Sequence, residues 1–185
     1  VCGAAFARSV YIFWIKNMRD CFVVDGQKFC TPVVVVQEKT LDVFLEQQDA
    51  AVRQWVRSCG FSAQADSYCF IPDADGRIQM VLAGMGALLH VWSAAFLPNI
   101  LPDGSYVLDT QFVKQADDGV YGMLALGWGL AGYRFDVFVK PQKSKNVLLF
   151  IPEMVDVELL RSMVESICYV RDMINLPANH MNPTQ

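Results

Sequence analysis

Thr31-Pro32-Val33-Val34-Val35-Val36 decides the fold class. The run is short, apolar and β-branched, and a proline admits it from the preceding loop. A strand with one face in water alternates polar and apolar residues. Four consecutive valines do not alternate, so this strand is expected to be buried on both faces. A sheet covered on both sides by helices provides that environment.

The neighbouring segments extend the pattern. Leu41 to Cys59 has helical period, with Leu41, Phe44, Leu45, Val52, Trp55 and Val56 on one face. Thr40 is placed to cap its start and Gly60 to end it. Ser67–Ile71 and Arg77–Leu82 read as two strands joined by the turn sequence Pro72-Asp73-Ala74-Asp75-Gly76. Leu88–Leu97 reads as a helix stopped by Pro98. Pro102-Asp103-Gly104 is a turn leading into a strand at Ser105–Leu108. Asp117–Phe135 reads as a buried helix. Its stripe of Val120, Leu124, Trp128 and Ala131 is interspersed with Gly119, Gly122, Gly129 and Gly132. Glycine weakens a helix by up to ~1 kcal/mol relative to alanine. So many of them point to a close approach by another element. Val147–Ile151 is a last buried strand, approached by the polar loop 141–146. Val155–Ile174 is a long amphipathic helix with Val157, Leu160, Val164, Ile167, Val170 or Arg171, and Ile174 on its apolar face. The residues before Pro177 end it. The expected fold is therefore α/β: a three-layer mixed sheet with helices on both faces, followed by a long C-terminal helix.

Composition agrees. The 185 residues are 54% hydrophobic and 18% charged, which excludes intrinsic disorder over most of the chain. The net charge of −4 disfavours nucleic acid and anionic membranes as partners. No apolar run reaches the length of a membrane span, and Val10–Ile15 is too short for a secretory signal core. The six cysteines, Cys2, Cys21, Cys30, Cys59, Cys69 and Cys168, form no CxxC and are read as buried free thiols. His90 and His180 are too few and too far apart for a zinc site. Residues 1–17 begin without methionine and carry no clear period. They are either an extension upstream of the domain or a further strand of the sheet.

Candidates for chemistry are sparse. Gly84-Met85-Gly86 follows a strand and has the composition of a phosphate cradle, but lacks the rest of a dinucleotide fingerprint or P-loop. A tight strand-to-helix turn explains it better. Asp73 and Asp75 belong to a turn, while Asp117 and Asp118 suit a helix start. His90 has no recognisable nucleophile or orienting acid nearby in sequence. Ser58-Cys59-Gly60 and Ser67 lack a nucleophile motif. Arg53 and Arg57 share a helix face but make no basic patch. Trp55, Trp92 and Trp128 read as core or as a buried partner interface. No catalytic, cofactor-binding or metal residue is assigned.

Two stretches carry a family resemblance. The segment from Arg171 to Pro183 resembles the one that joins the N-terminal and catalytic domains of leucyl (cytosol) aminopeptidases, approximately R-D-L-x-N-T-P-A-N-x-M-x-P. Arg171, Asp172, Asn175, Pro177, Ala178, Asn179, Met181 and Pro183 match it, and Leu176 replaces the usual threonine. Ala125-Leu126-Gly127-Trp128-Gly129-Leu130-Ala131-Gly132-Tyr133-Arg134-Phe135 looks like the ALGWALGAYRF helix of one branch of that family. The resemblance covers roughly residues 31–185.

The resemblance implies a macro-domain-like N-terminal domain at the outside of a homo-hexamer, shaping access to the active sites. In some members this domain also contributes to DNA binding. It implies a cytoplasmic parent enzyme that removes N-terminal residues from peptides with two divalent ions (zinc, manganese or magnesium). The family's ligands lie in DTGG and NTDAEGR motifs of the C-terminal domain, and this sequence contains neither. Asp109-Thr110 is followed by Gln111-Phe112, so it is not the metal motif. The implied organisation is an uncertain extension over 1–17, the α/β domain over 18–152, a linker helix over 153–176, and the start of a linker to a catalytic domain over 177–185. The implied partner is that catalytic domain, and this chain alone is expected to be inactive. The alternative is a free-standing macro-like module that binds a nucleotide or ADP-ribose.

Overall fold

The computed structural model describes residues 21–113, 118–135 and 145–177. Both readings of residues 1–17 lie outside this range, as do Asp117 and the segment after Pro177. Among the described residues six strands make one sheet: β1 (Phe22–Val23), β2 (Thr31–Val36), β3 (Tyr68–Pro72), β4 (Ile78–Gly84), β5 (Gly104–Asp109) and β6 (Val147–Phe150). The order is β1-β6-β5-β2-β4-β3, and every pairing is parallel except β3 with β4. The five described helices are α1 (Leu41–Glu46), α2 (Ala50–Ser58), α3 (Leu97–Ile100), α4 (Asp118–Ala131) and α5 (Val157–Asn175).

The valine run occupies the centre of the sheet, with β4 on one side and β5 on the other. Because side chains alternate along a strand, its valines serve two cores. Val33 and Val35 join Leu124, Trp128, Leu160 and Val164 beneath α4 and α5. Val34 and Val36 join Phe44, Leu45 and Val56 beneath α1 and α2. The three layers follow directly from this alternation.

Three expected elements differ in detail. The helix expected over Leu41–Cys59 is broken into α1 and α2. Asp49 takes an extended conformation between them, and its Oδ1 accepts the Val52 N–H at 2.8 Å. Aspartate is among the best N-caps, and its carboxylate satisfies an amide that would otherwise be orphaned. Thr40 does not cap α1. Its hydroxyl instead turns back to the backbone of Gln37. Gly60 does end α2: it has φ +66°, the Phe61 N–H reaches the Val56 carbonyl, and the Gly60 N–H reaches that of Arg57. These paired bonds define a Schellman stop.

The helix expected over Leu88–Leu97 is a 3₁₀ turn at Val91–Ala94 followed by α3. Pro98 sits in the first turn of α3, where no amide donor is needed, so it starts a helix instead of stopping one. The hairpin turn is as expected, with Gly76 at φ +79° and Asp73 Oδ1 accepting from the amides of Asp75 and Arg77. In α5, Leu160, Val164 and Cys168 are buried and Arg171 faces the domain, while Val170 and Ile174 point outward. The apolar positions of α5 thus divide between two faces.

Candidate functional site

The residues singled out for chemistry are structural. The Gly84 N–H is bonded to the Ser67 carbonyl, that of Met85 to Val36 and that of Gly86 to Ala63. All three donors that a phosphate would require are committed to the protein. A Cβ on Gly84 would overlap Ser67 and Gln64, so this glycine exists to let the 63–67 loop lie against the sheet. His90 is the N-cap of the 3₁₀ turn: its Nδ1 accepts from the Trp92 amide at 3.2 Å while Ser93 Oγ accepts from the His90 amide at 3.1 Å. The Ser67 hydroxyl donates to the Gln64 carbonyl at 2.6 Å. Asp109 accepts from the backbone and side chain of Gln111. Asp118 is the first residue of α4.

The cysteine expectation is corrected. Cys69 and Cys168 are buried, Cys21 and Cys30 are half-buried, and Cys59 is exposed. Trp128 is core, but Trp55 and Trp92 are each nearly half exposed. Among the described residues no three His, Cys, Asp or Glu side chains converge on a point where a metal could sit. These residues therefore do not fit a metal pair.

The polar cluster of greatest consequence joins α4 to α5. Tyr133, just past the end of α4, donates its phenol hydrogen to Asp172 Oδ1 at 2.6 Å and accepts from Asn175 Nδ2 at 3.0 Å. Burial and the adjacent Asp172 carboxylate push the Tyr133 phenol up to about 12. The Arg171 guanidinium lies 5.4 Å from the Trp92 ring centre and 5.3 Å from that of Tyr133. At those distances both rings attract the cation. Its Nη1 also reaches the Leu130 carbonyl at the end of α4. Arg171, Asp172 and Asn175 fall at i, i+1 and i+4, so they lie around one side of α5.

The clamp needs α4 to be slim. A Cβ at Gly129 would stand 2.7 Å from Val164 Cγ2 and 2.9 Å from Phe22 Cζ, and one at Gly127 would overlap the Val91 carbonyl. The helix is wedged between α5 on one side and the 3₁₀ turn on the other. Beyond the clamp, the outer face of α5 shows Leu159, Met163, Tyr169, Val170, Met173 and Ile174 to solvent, with Ile174 77% exposed.

Residues 31–152 match the pattern of the M17 aminopeptidase, N-terminal domain. The chain belongs to the M17 aminopeptidase family. The match spans about two thirds of the sequence and ends just before α5.

Several solved structures share this fold. Cytosol aminopeptidase from Coxiella burnetii is 30% identical, with a TM-score of 0.80 over 90% of this chain. A mutant of tomato leucine aminopeptidase is 14% identical and gives 0.60 over 88%. The bottromycin maturation enzyme BotP, solved in complex with Mn, is 21% identical and gives 0.56 over 83%. The latter two show likeness of fold alone. No curated protein sequence matches the chain significantly. The chain spans 35% of the Coxiella protein and 39% of the tomato one.

The two stretches that carried the resemblance are the ones that meet in the clamp. Tyr133 comes from the first and Arg171, Asp172 and Asn175 from the second. Their interaction was not inferred from sequence. The available signal was that two recognisable motifs lay nearly forty residues apart with no assigned chemistry in either.

Proposed function

We propose that this chain is the non-catalytic N-terminal domain of a leucyl-type metalloaminopeptidase, which removes N-terminal residues from peptides. The observation that carries the reading is the match of residues 31–152 to the N-terminal domain of M17 aminopeptidases, in a chain that spans 35% of a cytosol aminopeptidase of the same fold. The catalytic domain, with its two divalent ions, is supplied by other residues of the parent polypeptide. That domain also covers the outer stripe of α5. The clamp on Tyr133 fixes the direction in which the chain leaves the first domain. The reading further includes a cytoplasmic hexamer in which this domain lies outermost and shapes access for peptides. No described helix is long and apolar enough to cross a membrane.

The test is an assay of leucine anilide hydrolysis with added Mn²⁺ or Zn²⁺. The purified chain is expected to release no product, and the same chain encoded together with its downstream frame is expected to be active. Hydrolysis by the chain alone, lost on chelation, would overturn the assignment of a non-catalytic role. A downstream frame without DTGG and NTDAEGR motifs would remove the aminopeptidase parent.

A further inference from the structure

Among the described residues β3 is the last strand of the sheet and pairs only with β4. The register shows which of its backbone groups are spent. The Gly84 N–H is bonded to the Ser67 carbonyl, and the pairs run on through Tyr68 with Ala83, Cys69 with Leu82 and Phe70 with Val81. Hydrogen-bonded and non-bonded pairs alternate along an antiparallel ladder. Ser67, Cys69 and Ile71 therefore turn their backbone groups to β4, while the N–H and C=O of Tyr68 and Phe70 face away from it. The strand reads Tyr68-Cys69-Phe70-Ile71-Pro72. Its aromatic and β-branched residues favour pairing, and no charged residue opposes it. One side chain intervenes. Trp55, near the end of α2, brings its indole to this edge, where Nε1 donates to the Phe70 carbonyl at 2.9 Å. Trp55 remains 45% exposed there, so core burial alone does not account for its position.

We propose that Trp55 guards the β3 edge, and that the surface it closes is one on which a second copy of this chain adds its own β3. The outward residues are spaced for that partner. Turned about a two-fold axis beside Cys69, two β3 strands set Tyr68 of each copy opposite Phe70 of the other. Each such pair exchanges both of its backbone bonds: the Tyr68 N–H meets the Phe70 carbonyl, and the Phe70 N–H meets the Tyr68 carbonyl. The same patch serves both copies, so the contact closes as a dimer. Tyr68 and Phe70 lie on one face of the strand, with ring centres 5.2 Å apart and edge to face. Their counterparts meet them across the new ladder as aromatic pairs. An unrelated extended peptide can use the same backbone groups but lacks this aromatic complement. The indole blocks the pairing in each copy. It occupies the Phe70 acceptor, and a donor 2.9 Å from that carbonyl stands where the incoming amide would have to be.

The experiment uses the whole chain carrying Leu159→Glu and Ile174→Glu, so that the outer stripe of α5 does not contribute. Sedimentation velocity over a concentration series is combined with amide hydrogen exchange. Trp55→Ala is expected to self-associate at least about tenfold more tightly, because each copy regains an acceptor. The Tyr68 and Phe70 amides are expected to exchange without protection while Trp55 is present, and to gain protection with concentration in Trp55→Ala. Trp55→Phe keeps a ring but no donor, and should fall between the two. Adding Tyr68→Pro removes an outward donor at the first position of the strand, where proline is tolerated. It should abolish the association while the β4 amides stay protected. Should Trp55→Ala fail to fold, Trp55→Phe decides the matter alone. A folded variant that sediments like the Trp55 chain with both amides unprotected, association that survives Tyr68→Pro, or protection confined to other residues would each overturn the proposal.

Discussion

The phenol of Tyr133 donates a 2.6 Å hydrogen bond to the carboxylate of Asp172, across 39 residues of sequence. Three features converge on this contact. Asn175 donates to the same phenol oxygen, Arg171 stacks on the same ring, and the glycines of α4 let the two helices approach. A hydrogen bond to a charged acceptor is worth about 1.5–3 kcal/mol, and the half-buried position reduces it. Tyr133→Phe and Asp172→Asn should each destabilise the chain by about 1–2 kcal/mol in urea unfolding. The double variant should cost much less than the sum, because both changes remove one bond. Full additivity would show that the contact contributes nothing.

The same contact sets an alkaline limit. The phenol is held at about 12 in the folded chain against an ordinary value near 10. A raised value means that the unfolded chain loses this proton first. The stabilisation is therefore complete below pH 10 and is lost as pH rises through 12. The stability difference between wild type and Tyr133→Phe should be constant to pH 10 and vanish towards pH 12. Tyr121 is also raised, by burial, but is present in both proteins and cancels in the comparison.

Gly122, Gly127 and Gly129 of α4 should respond differently to alanine. At Gly122 a Cβ meets only Val155, at 4.0 Å, so Gly122→Ala should stabilise by about 0.5–1 kcal/mol through helix propensity. At Gly129 the obstacles are the tips of Val164 and Phe22, which can shift, and the change should cost about 1 kcal/mol. At Gly127 the obstacle is the Val91 backbone carbonyl, which cannot shift alone. Gly127→Ala should cost about 3 kcal/mol and displace the 3₁₀ turn. Thermal midpoints in the order Gly122→Ala, wild type, Gly129→Ala, Gly127→Ala would bear this out, and any other order would not.

The outer stripe of α5 should govern the solution behaviour of this chain. Leu159, Met163, Val170 and Ile174 recur at helical spacing and are at least 43% exposed. Leu159→Glu with Ile174→Glu should leave stability within about 0.5 kcal/mol, since neither residue supports the core. The pair should lower self-association in sedimentation velocity. A loss of stability above that range would mean that the stripe belongs to the fold.

Legibility in the sequence varied with the range of the interaction that fixed each element. The hairpin at Asp73–Gly76 and the stop at Gly60 were read correctly, because turn chemistry acts within a few residues. The break at Asp49 was missed. An unbroken apolar face ran through a position whose carboxylate instead caps a new helix. In sequence Pro98 reads equally as a stop or a start, because its rigid ring is compatible with both ends of a helix, and only the path of the chain selects one. Strand β1 has two residues and no pattern of its own. It is a strand because β6 pairs with it.

The valine run and the alternation of strand and helix determined the three-layer architecture by themselves. A short run of consecutive β-branched apolar residues behind a proline suits a strand in a sheet covered on both faces. Two motifs also determined the family. Only the tertiary structure decided which face of α5 is covered, that Gly84-Met85-Gly86 spends its donors on backbone carbonyls, and that Tyr133 meets Asp172. Periodicity reports that a residue is apolar or polar. It carries no record of the partner that reaches it from a distant part of the chain.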